Sequence, residues 1–393
     1  MNTLSRLIIL CLCLVGCDSH QSPTDPGDAA DFTALPSAKL VGRPFVYEVR
    51  HGGEQVFRIE ALKWRDGHTG AVSVTYDAPW GVHPVFSLAT DAALAHGVSM
   101  DLEIVSAKLQ FYSRRPIIGR MLRELAPNGI GFFGHGHEHV PHDWFGYKQA
   151  YESFRTNFEL MKTWGLNPKV YAYPNWGASI STQAANREAG FIAARGGTRR
   201  PSQRADYFIC PGNVHGPDNW YYLPSVIMGA QDGTDISHHE ALVPILKEAQ
   251  QADAWVILTY HSIGNPEGWG FYPAHEFELD VGYIARSGMW SGNMDAVAAY
   301  IQERNALDIK VVRYFGIGTP KQYELTFGDG LDNAVYDEPL TFEFRFNPEL
   351  DVQGVRIDPP VEGASSFMVY ENILRLNIVP DERRYALVLE RGR

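Results

Sequence analysis

The chain has 393 residues, of which 45% are hydrophobic and 20% are charged, a composition typical of a globular protein with a substantial core. Its formal net charge of −12 at pH 7 argues against nucleic acid, or an anionic membrane face, as a partner. The length indicates one large domain or a few smaller ones.

The N-terminus carries a targeting signal. Arg6 precedes the apolar run Leu7–Gly16, which is too short to cross about 30 Å of hydrocarbon as a helix, so residues 1–17 are predicted to be a signal peptide. The run ends in Leu14-Val15-Gly16-Cys17, which resembles the lipobox of bacterial lipoproteins. That resemblance implies a lipidated Cys17 and stable anchoring by several acyl chains. We expect an extracytoplasmic lipoprotein, on the periplasmic or cell-envelope face, that meets the membrane through its lipid anchor only; an ordinary secretory signal is the alternative.

Processing at this site would also decide the state of the cysteines. It would remove Cys11 and Cys13 and lipidate Cys17, which leaves Cys210 alone and allows no intramolecular disulfide. We interpret Cys210 as a small buried apolar residue, because no paired base lies near it in the sequence.

The remaining chain divides by its pattern of apolar residues. Residues 18–40 are small, polar and proline-bearing, as in a flexible tether, and residues 41–70 predict an N-terminal β segment. Within residues 71–322, short strand-like runs alternate with helical ones, which requires a parallel sheet. About seven such units predict an α/β fold of the β/α barrel type, with its chemistry at the C-terminal ends of the strands. Residues 323–393 contain strand patterns only and predict a small C-terminal all-β domain.

Polar residues follow several of the predicted barrel strands. Asp77 ends the first strand, His135, His137 and His139 follow the third, and His261 follows a late one. Imidazole has no packing advantage and is the commonest metal ligand, so the histidines predict a site for a divalent metal. In a strand all three histidines after the third run would share one face, whereas in a helix only the first and the last would.

Four segments stand in a defined order along this region: residues 75–79, 135–139, 171–175 and 258–261. They resemble the motifs of the polysaccharide deacetylase superfamily, the domain shared by chitooligosaccharide, peptidoglycan and acetylxylan deacetylases. The resemblance covers roughly residues 70 to 315. It implies a distorted (β/α)7 barrel of the deacetylase type that removes acyl groups, most often acetyl, from a poly- or oligosaccharide.

The resemblance also implies roles for the matching residues. His135 and His139 would bind the divalent metal, commonly zinc, while Asp77 would act as the general base and His261 as the general acid.

Further residues are expected around the substrate. Leu258 would help to form the pocket for the acetyl methyl group, and a backbone N–H beside Tyr173-Pro174 would stabilise the oxyanion. Trp269 and Trp80 are candidates for stacking on the sugar.

The first motif departs from the family pattern, because Ala78 stands where the family has its third metal ligand, an aspartate. His137 is the first candidate to replace it. The other candidates are His142, Asp143, His83 and Asp77 itself, which would leave the base unassigned.

Two other departures concern the barrel strands. The arginine of the third motif is replaced by Ala172, so Arg195, after a later strand, is a candidate to tune the base. Asp101 and Glu103 alternate in the second strand, where the family is usually apolar, and we interpret them as hydrogen-bonding groups of the barrel interior.

Two alternative functions stay open. The His135-x-His137 pair with a further histidine and an aspartate is compatible with a metallo-β-lactamase-like site, although the late His261 motif argues against it. Alternatively, the loss at Ala78 marks a non-catalytic glycan-binding lipoprotein, against which stands the survival of the other motif residues.

Overall fold

The computed structural model describes residues 38–40, 45–77, 86–111, 115–198, 201–229, 236–315, 321–361 and 371–392. Its strands are β1 Ala38–Leu40, β2 Val46–His51, β3 Glu54–Ala61, β4 Ala71–Tyr76, β5 Met100–Ile104, β6 Ile130–Gly134, β7 Val170–Ala172, β8 Ala193–Arg195, β9 Val226–Ile227, β10 Trp255–Tyr260, β11 Trp290–Ser291, β12 Asp308–Phe315, β13 Gln322–Gly328, β14 Leu340–Phe346, β15 Val352–Asp358, β16 Ile373–Ile378 and β17 Asp381–Arg391. Its helices are α1 Phe86–His96, α2 Ser106–Leu109, α3 Arg115–Arg120, α4 Tyr147–Thr163, α5 Ile180–Ala189, α6 His239–Gln251, α7 Ala274–Ile284 and α8 Met294–Ala306.

Some of the predictions fall outside the described residues, namely those on the signal peptide, Cys17, Ala78, Trp80 and His83. The predicted tether also extends three residues too far, since Ala38–Leu40 is a strand that pairs antiparallel with β2.

Seven parallel strands form the barrel. Their order is β8-β7-β6-β5-β4-β10-β9, and β11 pairs with the start of β4. The segment that leads into β9 also bonds to β8, because Leu223 donates its N–H to the carbonyl of Ala194 at 2.8 Å and accepts from the N–H of Gly196 at 2.9 Å. The sheet therefore closes on itself, which confirms the predicted seven-unit β/α barrel.

Alternation along the strands separates an apolar outer layer from a polar interior. On β4, Val72 and Val74 pack in the core that includes α1, α6 and α7, whereas Ser73 and Thr75 face the interior. The interior hydroxyls are satisfied locally: the indole N–H of Trp255 donates to Ser73 Oγ at 3.0 Å. Because side chains on one face recur every second residue, Asp77 continues the interior row at the C-terminal end of the barrel.

The remaining strands form a two-sheet sandwich. One sheet has the order β1-β2-β3-β14-β16 and the other β12-β13-β17-β15, with antiparallel pairing throughout. The rings of Phe57 and Tyr323 lie 5.1 Å apart, and those of Phe327 and Phe342 lie 4.6 Å apart, so the sheets pack face to face. The strands-only pattern of the C-terminal region is thus confirmed.

The domain boundaries differ from those predicted. The segment 41–70 and the region 323–393 share one sheet, because β3 pairs with β14, and they are not separate units. Strand β12, which was assigned to the barrel, pairs with β13 in the sandwich, so the barrel ends before Asp308.

Helix α8 joins the barrel to the sandwich. Its Tyr300 hydroxyl donates to the carbonyl of Leu62 at 2.9 Å, and Arg304 Nε donates to the carbonyl of Ala61 at 3.2 Å. One apolar core runs through the junction. Across the part of the chain that is described, no helix combines the length and the apolar character needed to cross a membrane.

Candidate active site

A cavity of about 270 Å³ opens at the C-terminal end of the barrel strands. Asp77 follows β4, Glu103 lies in β5, His135 follows β6 and His261 follows β10, so four strands contribute to it. The residues that line it are Asp77, Glu103, His135, His139, Tyr173, Asn175, Trp176, His261 and Trp269.

The orientation of His135 is set by the backbone of β7. Its Nδ1 lies 2.9 Å from the carbonyl oxygen of Ala172, to which it donates, so the lone pair of Nε2 points into the cavity. That Nε2 lies 3.2 Å from a carboxylate oxygen of Glu103 and 4.0 Å from one of Asp77. Burial lowers the pKa of His135 to about 3, which keeps the ring neutral. The Nε2 lone pair and the carboxylate oxygens are all hydrogen-bond acceptors, so at these distances they repel one another unless a cation or a shared proton lies between them.

Glu103, His135 and His139 form a group that fits a divalent metal. One ligand atom from each lies within 4.8 Å of the others, and the two imidazole rings are 4.9 Å apart. Burial also lowers the pKa of His139. Two neutral imidazoles and a carboxylate are donors that zinc and similar first-row ions accept. We call these three residues the metal cluster, meaning the candidate ligands of a single metal ion.

His137, predicted as the third ligand, is placed elsewhere. Its Nδ1 lies 2.9 Å from Ser106 Oγ, and its side chain lines a different cavity, together with Glu138 and Phe145. The segment after β6 is neither strand nor helix: it turns at Gly136, whose φ is 91°, and at His139, whose φ is 57°. The alternation expected of a continuing strand therefore does not hold.

Glu103 takes the place predicted for His137. The sequence predicts hydrogen-bonding groups of the barrel interior at both Asp101 and Glu103. Asp101 is such a group, since it accepts from the N–H of Met294 at 2.7 Å and from Asn293 Nδ2 at 2.9 Å. Glu103 lies one interior position nearer the C-terminal end, beside His135. The sequence did indicate Glu103, because it is a carboxylate in a strand where the family usually has apolar residues.

His142, the second-choice ligand, belongs to what we call the aromatic cluster, with Phe154 and Tyr171. Its ring stacks on Phe154 at 4.3 Å and its Nε2 lies 3.1 Å from Ser153 Oγ. Burial lowers the pKa of His142 to about 3. Asp143, the other second choice, is exposed.

Asp77 is bound by Arg195, the residue proposed to replace the missing arginine of the third motif. Arg195 Nη2 lies 2.6 Å from each oxygen of the Asp77 carboxylate, and its Nη1 donates to Thr259 Oγ1. Burial alone would raise the pKa of Asp77, but the guanidinium of Arg195 outweighs it and holds that pKa below its usual value. The carboxylate is therefore ionised and fixed in position.

His261 lies under Trp269, whose ring meets it edge-on at 4.3 Å. Gly270, at φ 66°, passes so close that a Cβ there would lie 3.0 Å from the Cβ of His261. Burial lowers the pKa of His261 to about 4 despite the nearby charge of Asp77, so the free imidazole is neutral.

The loop after β7 contributes Asn175 and Trp176, which were not among the predicted site residues although Asn175 is the last residue of the third motif and Trp176 follows it. The Tyr173 N–H donates to the carbonyl of Arg195 at 3.0 Å and Pro174 has no N–H, which leaves Asn175 as the candidate oxyanion donor. Asn175 and Trp176 have φ values of 51° and 57°, an uncommon backbone for residues with side chains. Tyr173 lines the cavity, whereas Pro174 is buried beside it.

Leu258 does not line the cavity. It is fully buried between the sheet and the helices, with Val74 and Val256. Because side chains alternate, Thr259 and His261 face the interior and Leu258 faces the other side. The prediction that it walls the acetyl pocket is therefore wrong.

Cys210 is buried, and burial raises the pKa of its thiol to about 11. This agrees with its interpretation as a small apolar residue.

Comparison with known proteins gives remote likenesses only. No family model matches the chain, and no curated protein does. Among solved structures, a protein assigned as a polysaccharide deacetylase from Mycobacterium smegmatis is 16% identical, with 65% of this chain and 96% of that chain covered and a TM-score of 0.45. A family 4 carbohydrate esterase from Streptomyces lividans is 12% identical, with 57% and 93% covered and a TM-score of 0.37. The peptidoglycan deacetylase PdaC from Bacillus subtilis is 10% identical, with 61% and 94% covered and a TM-score of 0.38.

These proteins bear the names of the class that the four sequence motifs resemble.

Proposed function

We propose that the chain is a metal-dependent hydrolase of the polysaccharide deacetylase type, which removes acyl groups, most often acetyl, from a poly- or oligosaccharide. The observation that carries the proposal is the convergence of the metal cluster with Asp77 and His261 on one cavity. A metal ligand set, a fixed carboxylate base and a neutral imidazole are the groups that hydrolysis of an amide or ester requires.

Glu103, His135 and His139 would hold a divalent metal, most simply zinc. When bound, it would polarise the acyl carbonyl and lower the pKa of water. The Ala172 carbonyl keeps the Nε2 lone pair of His135 available for it. The ligand that the family takes from the first motif would here come from the neighbouring strand β5.

Asp77 would take the proton of the attacking water. Its two hydrogen bonds from Arg195 keep the carboxylate ionised and aimed at the cavity. His261 starts neutral because of its burial, so the proton that Asp77 takes from the water would have to pass to His261 before His261 could give it to the leaving oxygen or nitrogen. The Asn175 N–H would stabilise the developing oxyanion.

The aromatic wall of the cavity favours a sugar as the carrier of the acyl group. Trp176 and Trp269 lie 6.0 Å apart, and Trp269 is 41% exposed. Exposed indole faces offer apolar contact to the C–H side of a sugar ring. We further propose that lipidation at Cys17 anchors the enzyme at the envelope, where such glycans lie.

Metal analysis of the 18–393 fragment, paired with an acetate-release assay on acetylated glycans, tests the proposal. We expect about one metal per chain, acetate release, and loss of that release on chelation with recovery on adding zinc. Two metals per chain would favour the metallo-β-lactamase-like alternative. Neither metal nor acetate would favour the non-catalytic glycan-binding alternative.

A further inference from the structure

A buried carboxylate on α7, Asp280, joins three chain segments outside the catalytic cavity. Asp280 is fully buried, and the mechanism proposed above does not use it. Its Oδ2 accepts from the hydroxyl of Tyr260 at 2.8 Å and from that of Tyr272 at 2.7 Å, and its Oδ1 lies 2.8 Å from Nδ1 of His239 at the start of α6. A carboxylate is costly to bury unless such partners surround it, and once they do the network is rigid.

Two of these three partners lie on either side of His261 along the chain. Tyr260 is the last residue of β10 and precedes His261 directly. Tyr272 belongs to the segment that returns past His261: its N–H donates to the carbonyl of Ser262 at 3.3 Å, and its own carbonyl accepts from the N–H of Gly264 at 2.8 Å. Asp280 therefore holds both the strand that leads into His261 and the segment that comes back beside it.

The orientation of the His261 ring depends on that returning segment. Among the described residues, no group hydrogen-bonds to the buried Nδ1 of His261, so polar contact at this atom does not fix the ring. Packing does so instead, because Trp269 meets the ring edge-on at 4.3 Å and a Cβ on Gly270 would lie 3.3 Å from Nδ1. The Ser262 hydroxyl, which donates to the carbonyl of Trp269 at 2.9 Å, ties this packing to the backbone that follows His261.

We propose that Asp280 is a positioning residue for His261. Through Tyr260 and Tyr272 it holds the imidazole where the ring can deliver a proton to the leaving atom. The inference rests on the proposed function, in which His261 is the general acid, and extends it to a residue that does not line the cavity. Proton delivery matters most for a poor leaving group: the alkoxide or amine of a sugar needs the proton, whereas p-nitrophenolate leaves without it.

The experiment compares an acetylated glycan with p-nitrophenyl acetate as substrates of Asp280→Leu, which keeps the approximate shape and removes both acceptors. For the glycan, kcat should fall about tenfold with KM and metal content unchanged, whereas kcat/KM for p-nitrophenyl acetate should stay within about twofold. Asp280→Asn should restore kcat for the glycan to within about threefold of the wild type. Its amide oxygen can accept from both tyrosines, and its NH₂ group can donate to His239 Nδ1 once the ring proton moves to Nε2.

Two further variants separate positioning from a purely structural role. Glu303→Met removes another fully buried carboxylate, one that accepts from the N–H of Glu338 on the far side of α8 from no cavity residue, and should lower thermal stability while both substrates keep their kcat. In a His261→Ala background, adding Asp280→Leu should cause no further loss with the glycan, because the two residues act through one step. Equal losses for the two substrates, no loss, or a further loss in the His261→Ala background would overturn the inference.

Crystal structures of the wild type and Asp280→Leu distinguish failure of the inference from failure of the proposed function. A His261 ring displaced by about 1 Å in the variant is expected, since a shift of that size is enough to impair catalysis. An unmoved ring would overturn the inference. A wild type that hydrolyses neither substrate, combined with a displaced ring in the variant, would contradict the proposed function alone.

Discussion

The metal cluster and the aromatic cluster draw their histidines from one short segment, yet they differ in what surrounds the rings. His135 and His142 are both buried, and burial lowers both pKa values to about 3. The Nε2 of His135 meets carboxylates of two neighbouring strands, whereas His142 stacks on Phe154 and reaches a serine hydroxyl. The difference teaches that neighbouring elements, and not the density of histidines, determine which rings can serve a metal.

The largest expected effect follows from His135→Ala. The variant should lose the metal, and acetate release should fall by about 10³-fold or more, because several kcal/mol of charge stabilisation depend on the ion. His137→Ala is the control from the same loop and should keep both, since His137 contacts Ser106 instead. Equal metal loss in both variants would restore His137 as a ligand.

Removal of His261 should separate turnover from metal binding. His261→Ala should lower kcat by about 10²–10⁴-fold, the usual contribution of proton transfer by a positioned side chain. Its metal content should equal that of the wild type, since His261 lies outside the metal cluster. A parallel loss of metal would show that the imidazole is a ligand and not a proton carrier.

The role of β5 in the metal cluster is tested by Glu103→Gln, which keeps the shape and removes the charge. We expect metal affinity to fall by about 100-fold, because an amide oxygen is a weaker ligand than a carboxylate. Asp101→Asn is the matched control two residues earlier: it should retain the metal and lose thermal stability, because both Asp101 oxygens accept hydrogen bonds at the start of α8 and the amide replaces one of these acceptors by a donor. Unchanged affinity in Glu103→Gln would leave the third ligand unassigned.

Arg195→Lys should have a smaller effect on turnover. The substitution keeps a positive charge near Asp77, but one ammonium group cannot hold both Asp77 and Thr259 as the two Nη atoms of the guanidinium do, so kcat should fall about 10-fold to 100-fold with metal content unchanged. Wild-type kcat in this variant would mean that the contacts of Arg195 with Asp77 and Thr259 only support the fold.

The sequence predicted the barrel because its evidence is local and repeated. Strands such as AVSVTY and WVILTY are continuous buried runs, and helical segments separate them, which leaves few alternatives to a parallel sheet. The extent of the sandwich was not predictable in the same way. The pairing of β3 with β14 joins residues almost 300 positions apart, and no local sequence pattern predicts such a contact.

The site was predictable to the extent that strand ends determine it. Asp77, His135 and His261 follow their strands directly, so their convergence follows from the barrel. His137 failed because the backbone turns at Gly136, and Leu258 failed because its strand alternates. Glu103 stood out in the sequence as a carboxylate in an apolar strand, but its place in the metal cluster became visible only in the structure, where it lies beside His135.

The smallest expected effect, His142→Phe, tests the aromatic cluster. Metal content and kcat should stay within about twofold, and the free energy of unfolding at neutral pH should change by about 1 kcal/mol, since one hydrogen bond is exchanged for apolar contact. The pH dependence should also change. The pKa of His142 lies near 3 in the folded state against 6.5 without burial, so the unfolded chain binds an extra proton between these values and the folded state loses stability as pH falls through them. Denaturant unfolding at pH 7.5 and pH 5 should therefore show a smaller loss of unfolding free energy on acidification in His142→Phe than in the wild type. Loss of metal in this variant would instead show that His142 belongs to the metal site.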